Sequence, residues 1–162
     1  MANDTKIKTD FHMRWMIRRD MPEVIDIERL SFPFPWSEEE FLRTLREMNT
    51  IGMTVEKRGV TPGLWEPVVG FVVYTLLKTR LHVKNFAVHP AWRRRGVGTI
   101  MAKRLVDKLS SERRTRITLD VTERNLDASL FFRQMGFRCE SMTRGFYDGG
   151  DDALHMVYRF AE

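Results

Sequence analysis

Apolar residues recur at two spacings along this chain, and the switches between them predict its elements. Val24, Ile27 and Leu30 follow Asp20 at an N-cap position and Pro22 in the first turn, which predicts a helix. The short apolar run Trp15-Met16-Ile17 predicts a first strand, after a polar, flexible leader over residues 1–12. Phe32-Pro33-Phe34-Pro35-Trp36 is excluded from a helix, because each proline restricts the residue before it. Ser37-Glu38-Glu39-Glu40 has the spacing of a capping box, and Phe41, Leu45 and Met48 continue a second helix from it. Trp36 is placed to act as a hydrophobic staple against Phe41.

Strand formers then dominate 51–56, 68–77 and 81–88, with a Gly/Pro-containing turn region over 59–67. His89-Pro90 stops the third of these strands. Residues 99–109 carry Met101, Leu105 and Leu109 on one helical face. Ile117, Leu119 and Val121 alternate with Thr118, Asp120 and Thr122, the period of a strand with one polar face. Residues 125–135 predict a helix with Leu126, Leu130 and Phe131 inward and Gly136 as its C′ residue. Two strands, 137–142 and 153–160, close the chain around a Gly/Asp-rich turn. The order β α α β β β α β α β β, with a βαβ unit across residues 81–121, predicts an α/β fold: a mixed, mostly antiparallel sheet flanked by helices. No repeat or linker interrupts it, so residues 13–162 are expected to form a single domain.

Composition narrows the class. The chain has 162 residues, 43% of them hydrophobic, with 11 Phe, 10 Met and 4 Trp, enough to bury a core without staples. One cysteine excludes an internal disulfide framework, and no Cys/His cluster has metal-site spacing, so no metal is expected. No apolar run reaches the roughly 20 residues of a membrane span, and the first ten residues are too polar for a secretory signal. A cytoplasmic location with no membrane partner is expected. The net charge is +5, which favours anionic partners, yet the basic residues are spread and mixed with acids. Only Trp92 lies beside the basic run at 93–95, whereas a nucleic-acid surface interleaves several aromatics with its cations.

That run is the strongest chemical feature. A strand, then Arg93-Arg94-Arg95-Gly96-Val97-Gly98, then a helix places backbone N–H groups and a helix N-terminus where an anion can approach. It is not a P-loop, since no Gly-Lys-[Ser/Thr] ends it, and it lacks the third glycine of a dinucleotide fingerprint. As turn chemistry alone, a Gly-x-Gly is weak. His82, His89, His155 and Cys139 show no partner spacing and read as structural.

The element order and the central Arg-x-x-Gly-x-Gly loop resemble the GCN5-related N-acetyltransferase (GNAT) superfamily. The detailed match is similar to its ribosomal-protein alanine N-acetyltransferase (RimI) family. The residues that carry it are Phe34-Pro35-Trp36-Ser37, Asn85-Phe86-Ala87-Val88-His89-Pro90, Asn125, Met135-Gly136-Phe137, Gly145-Phe146-Tyr147 and Asp151-Asp152-Ala153. The resemblance implies that acetyl-CoA lies in a splay between two parallel strands, one ending near Val88 and the other near Val121. Phe86, Ala87 and Val88 would pair with the pantetheine arm like an added strand. Arg93, Arg94, Arg95, Gly96, Val97, Gly98 and Thr99 would surround the pyrophosphate, and Asn125 would hydrogen-bond nearer the thioester. Asp120 stands where the family carries a glutamate base, with a solvated strand-end carboxylate as the alternative. Phe132 stands where the family carries a tyrosine acid, so that acid is missing here. Phe34, Trp36 and Tyr147 are candidates for lining an acceptor-peptide groove or, equally, for packing. The implied activity is acetyl transfer to the N-terminal amine of a protein, a ribosomal protein first. Acetylation of a small amine (polyamine, aminoglycoside or amino acid) and non-catalytic acyl-CoA binding are the alternatives.

Overall fold

The computed structural model describes residues 10–59 and 66–161. Most of the expected leader and of the 59–67 turn region lies outside them. The elements are β1 (Phe11–Trp15), a 3₁₀ turn (Arg18–Asp20), α1 (Met21–Ser31), α2 (Glu38–Leu45), β2 (Thr50–Lys57), β3 (Val68–Leu76), β4 (Arg80–Val88), a 3₁₀ turn (Pro90–Trp92), α3 (Val97–Val106), β5 (Arg116–Thr122), α4 (Leu126–Gln134), β6 (Arg138–Thr143) and β7 (Ala153–Arg159). Strand and helix order is the one expected. The strands neighbour one another as β1-β2-β3-β4-β5-β7-β6. Two compact units are present: the chain up to Tyr74 with Asn85–Lys103, and Thr75–Lys84 with the chain from Arg104 on.

In the first unit β1 pairs antiparallel with β2, from Phe11 opposite Lys57 to Trp15 opposite Met53. The strand therefore begins inside the expected leader and ends before Met16 and Ile17. Its own alternation is masked by polar His12 and Arg14, whereas the apolar run that follows turns into the 3₁₀ segment. Asp20 precedes α1 but does not cap it. Its buried carboxylate instead takes a two-pronged ion pair from Arg14, at 2.7 and 2.8 Å, and the Ile17 N–H at 2.8 Å.

Met21, Val24 and Ile27 of α1 meet Phe41, Val68, Phe71, Val73 and Ala87 in the core of this unit. Leu30, expected inward, is exposed. The capping box forms: the Ser37 hydroxyl accepts the Glu40 N–H, and the Glu40 carboxylate accepts the Ser37 N–H. Trp36 packs edge-on against Phe41 at 5.1 Å, and Phe41 against Phe71 at 5.5 Å. Phe41 is wholly buried, so its truncation leaves a cavity among rings that cannot close over it. Phe41→Ala is expected to cost about 3–5 kcal/mol. A thermal melt reads this as a midpoint lower by roughly 6–20 °C.

In the second unit β4 and β5 pair in parallel over Arg80–Arg116, Leu81–Ile117 and His82–Thr118. β5 is paired along its whole length with antiparallel β7 on its other side, and β6 pairs with β7 beyond. Ile117, Leu119 and Val121 are buried, as their alternation predicts. The phase of α4 differs from expectation. Leu126 and Leu130 are exposed, while Phe132 is buried with its ring 5.2 Å from Phe137. In a run of three apolar residues, Leu130-Phe131-Phe132, a shift of one residue rotates the helix face by 100° and leaves the sequence pattern almost unchanged. Gly136 ends this helix at φ 101°, and a Cβ there would stand 3.0 Å from the Tyr158 ring.

Candidate active site

The loop over residues 93–99 is built in the first unit. α3 starts at Val97, two residues earlier than its apolar pattern predicts, so Val97, Gly98 and Thr99 supply the first helical N–H groups, which have no acceptor within their own helix. Arg94 and Gly96 lie in the left-handed region, at φ 61° and 87°. A Cβ on Gly96 would meet nothing within 4 Å, so glycine is required there by the backbone turn and not by space. The three arginines have different surroundings. Arg93 donates to the Val88 carbonyl at 3.0 Å and to the Ser31 hydroxyl at 3.2 Å, bracing the loop. Arg95 stacks over the Trp92 ring at 5.0 Å, and Arg94 is exposed.

Just before the loop, β4 carries a buried polar chain that the sequence reading missed. The Glu28 carboxylate accepts the Trp36 N–H at 3.0 Å and the Asn85 amide at 2.8 Å, and Asn85 Oδ1 accepts the Phe86 N–H at 2.9 Å. One carboxylate thus ties α1, the 34–36 loop and the end of β4 together. Trp36 is held at both its backbone and its ring, whereas Phe34 is exposed. Ala87 is buried. His89 donates its N–H to Val69 in β3, so the alternation of strand backbone turns the Val88 N–H to the opposite edge.

Burial holds the Glu28 carboxyl above the usual carboxylate range, against the opposing pull of its bonds from Trp36 and Asn85. A carboxyl raised in the folded state contributes stability that is lost as pH rises above its ordinary range near 4.3. Glu28→Gln removes that slope, but its single oxygen cannot serve both donors. It is expected to destabilise by about 1–3 kcal/mol at neutral pH and to flatten stability against pH, both read from melts between pH 4 and 8.

The second unit holds the titratable cluster. Asp120 lies on the polar face of β5, and across the β5–β7 register it faces His155. His155 Nδ1 is 2.5 Å from Asp120 Oδ1, and His155 Nε2 is 2.7 Å from the Thr143 hydroxyl in β6. His155 thus has the partners that its sequence spacing does not show. Phe146 meets the His155 ring edge-on at 5.7 Å. His82 is bonded through Nδ1 to Thr118 at 2.7 Å, and burial pushes its charged form down despite the favourable charge of Asp120. Tyr147 is half-buried, and burial together with the Asp120 charge pushes its phenol up to about 12.

Asn125 caps α4, its Oδ1 accepting the Ala128 N–H at 3.1 Å, so only its amide N–H₂ is left to offer a ligand. Phe132, buried between the Phe131 and Phe137 rings, is a packing residue. The structure thus groups Phe34, Trp36, Phe86, Ala87, Val88 and Arg93–Thr99 in one unit and Asp120, Asn125 and Tyr147 in the other. His155 and Glu28 are additions that no local motif signals. Only the non-local pairing of β5 with β7, and of α1 with β4, brings their partners to them.

The whole chain is similar to known proteins. The chain is 26% identical over 142 residues to the [ribosomal protein bS18]-alanine N-acetyltransferase of Salmonella typhimurium, covering 85% of this chain and 90% of the relative. It is 25% identical over 160 residues to an N-alpha-acetyltransferase of Sulfurisphaera tokodaii, covering 95% and 96%. Among solved structures, the ribosomal-protein-S18-alanine N-acetyltransferase of Escherichia coli superposes with a TM-score of 0.78 at 22% identity, covering 94% and 95% of the two chains. Arabidopsis thaliana NAA60 in complex with acetyl-CoA superposes at 0.81 and 21% identity, covering 93% and 99%; both likenesses are of fold. The profile of the Acetyltransferase (GNAT) family matches residues 21–137, well over half of the sequence, and the chain belongs to that family of acetyltransferases.

Proposed function

We propose that this protein transfers an acetyl group from acetyl-CoA to the N-terminal α-amine of a protein, with a ribosomal protein as first candidate acceptor. The observation that carries the reading is the half-buried carboxylate of Asp120, held by His155 at the polar face of β5 with Tyr147 nearby. An attacking amine must be neutral. An α-amine, with a pKa near 7.7–8.0, is already roughly a tenth neutral at pH 7, whereas a lysine near 10.4 is almost wholly charged. A modest, partly solvated carboxylate suits the first task better than the second. The names of the relatives, one an alanine N-acetyltransferase of a ribosomal protein and one an N-alpha-acetyltransferase, support the same acceptor class.

The residues fit such a donor substrate. The exposed Arg94, the left-handed turn at Gly96 and the first N–H groups of α3 form a cradle of the kind that receives a pyrophosphate. Acetyl-CoA, when bound, supplies an acyl carbon activated as a thioester. The edge of β4 at Phe86–Val88 is assigned to its pantetheine arm. Because the Phe86 N–H is already donated to Asn85, the Val88 N–H is the strand donor assigned to the carbonyl oxygen. Asp120 takes the proton of the attacking amine, directly or through one water. No acid stands at position 132, and its loss need not abolish transfer, because a thiolate of the class near 8.5 leaves tolerably well unaided.

Incubation with acetyl-CoA and a panel of free-N-terminus peptides, lysine-only peptides and polyamines, read by mass spectrometry, tests the reading. Acetylation confined to N-terminal amines supports it. Modification of polyamines alone replaces it with small-amine acetylation, and acetyl-CoA binding without any product replaces it with a binding role.

A further inference from the structure

We infer that His155 is a positioning residue for this transfer: its Nδ1–H holds one oxygen of Asp120, leaving the other as the single proton acceptor, and the Thr143 hydroxyl holds the far side of the ring at Nε2. The inference rests on the reading of Asp120 as the base.

The geometry assigns the proton between His155 and Asp120. An ionised carboxylate only accepts, so at 2.5 Å from Asp120 Oδ1 the hydrogen belongs to His155 Nδ1. The Thr143 hydroxyl, 2.7 Å from Nε2, both donates and accepts, so it anchors that side of the ring while Asp120 sets which nitrogen faces it with a hydrogen. The tautomer with hydrogen on Nε2 would leave two acceptors facing each other across 2.5 Å. Three neighbouring strands supply the three groups: β5 Asp120, β7 His155 and β6 Thr143. The Phe146 edge fixes the ring plane from the loop before β7. Both ring nitrogens are occupied, so the imidazole acts through Asp120 and not on the acceptor. The other titratable groups around the pair are His82, already bonded to Thr118, and Tyr147, whose phenol stays protonated. A carboxylate with both oxygens free rotates about its last bond. Held at one oxygen, it presents the other in a fixed direction, and a misplacement of about 1 Å in such a group can cost on the order of 10²-fold in rate.

Steady-state kinetics with an N-terminal peptide, on His155→Ala, His155→Asn and Asp120→Asn alongside the parent, test the inference. Acetyl-CoA affinity by calorimetry and folding by circular dichroism accompany them. The Ala variant is expected to lose about 10²-fold in kcat with acetyl-CoA affinity unchanged. The Asn variant restores most of it, because its amide N–H takes the place of Nδ1–H. A merely structural role would lower the melting temperature and leave kcat per folded molecule untouched. Parent-like kcat in His155→Ala, or no rescue by Asn in a folded protein, overturns the inference. If Asp120→Asn is slow while His155→Ala is not, only this inference fails. If Asp120→Asn runs at the parent rate, the reading of the base fails first.

Discussion

Gly98→Asp is expected to abolish measurable acetyl-CoA binding in a protein that still folds. Gly98 is the second residue of α3, and its N–H is one of the first-turn donors assigned to the pyrophosphate. A carboxylate in the first turn of a helix is favourable to the helix itself, because it meets the positive end of the dipole. Fold and ligand site are thus affected in opposite directions. Against a phosphate about 4 Å away, each pair of unit charges repels by ~1 kcal/mol in bulk water and ~4 kcal/mol near a protein surface. The added Cβ also blocks the close backbone approach that glycine permits. Together these predict affinity weaker by at least about 10²-fold, measured by titration calorimetry with circular dichroism as the folding control. Parent-like affinity in the folded variant would remove the 94–99 loop from the cofactor site.

Asp120→Asn is expected to lower kcat by about 10²–10⁴-fold, the span of a lost general base, with acetyl-CoA affinity unchanged. Asparagine keeps the shape of the side chain and an oxygen for the His155 Nδ1–H, so the substitution removes proton affinity and little else. The pH dependence carries a sign. As pH rises towards the α-amine pKa of 7.7–8.0 and beyond, more acceptor is neutral without help. The deficit of the variant therefore narrows with rising pH and widens below pH 7. Equal rates for variant and parent between pH 6 and 9 would take Asp120 out of the mechanism.

Much of this architecture is legible in local pattern. The capping box at Ser37, the staple of Trp36 on Phe41, the strand alternation from Ile117 to Val121 and the C′ glycine at Gly136 are all contained in windows of a few residues. Each appears in the structure where its spacing puts it. The misplacements share a different origin. Trp15-Met16-Ile17 predicts a strand because it is apolar, yet β1 lies earlier because pairing with β2 runs through His12 and Arg14. The α4 face is misread because Leu130-Phe131-Phe132 satisfies two phases, and the Phe137 ring selects the one that buries Phe132.

The candidate site divides in the same way between groups set by local pattern and partners set by long-range pairing. Order of elements, a glycine turn leading into a helix, and an acid on the polar face of a strand are local. They follow from side-chain period, from the φ that glycine tolerates and from the donors that a helix start leaves open. The partners of those groups are not local. His155 reaches Asp120 from 35 residues away and Asn85 reaches Glu28 from 57. A strand register that shifted by one residue would turn His155 to the other face of the sheet with no change in sequence pattern. Which histidine holds the acid was therefore decided by the register of β7 on β5, which burying one face of each strand helps to set.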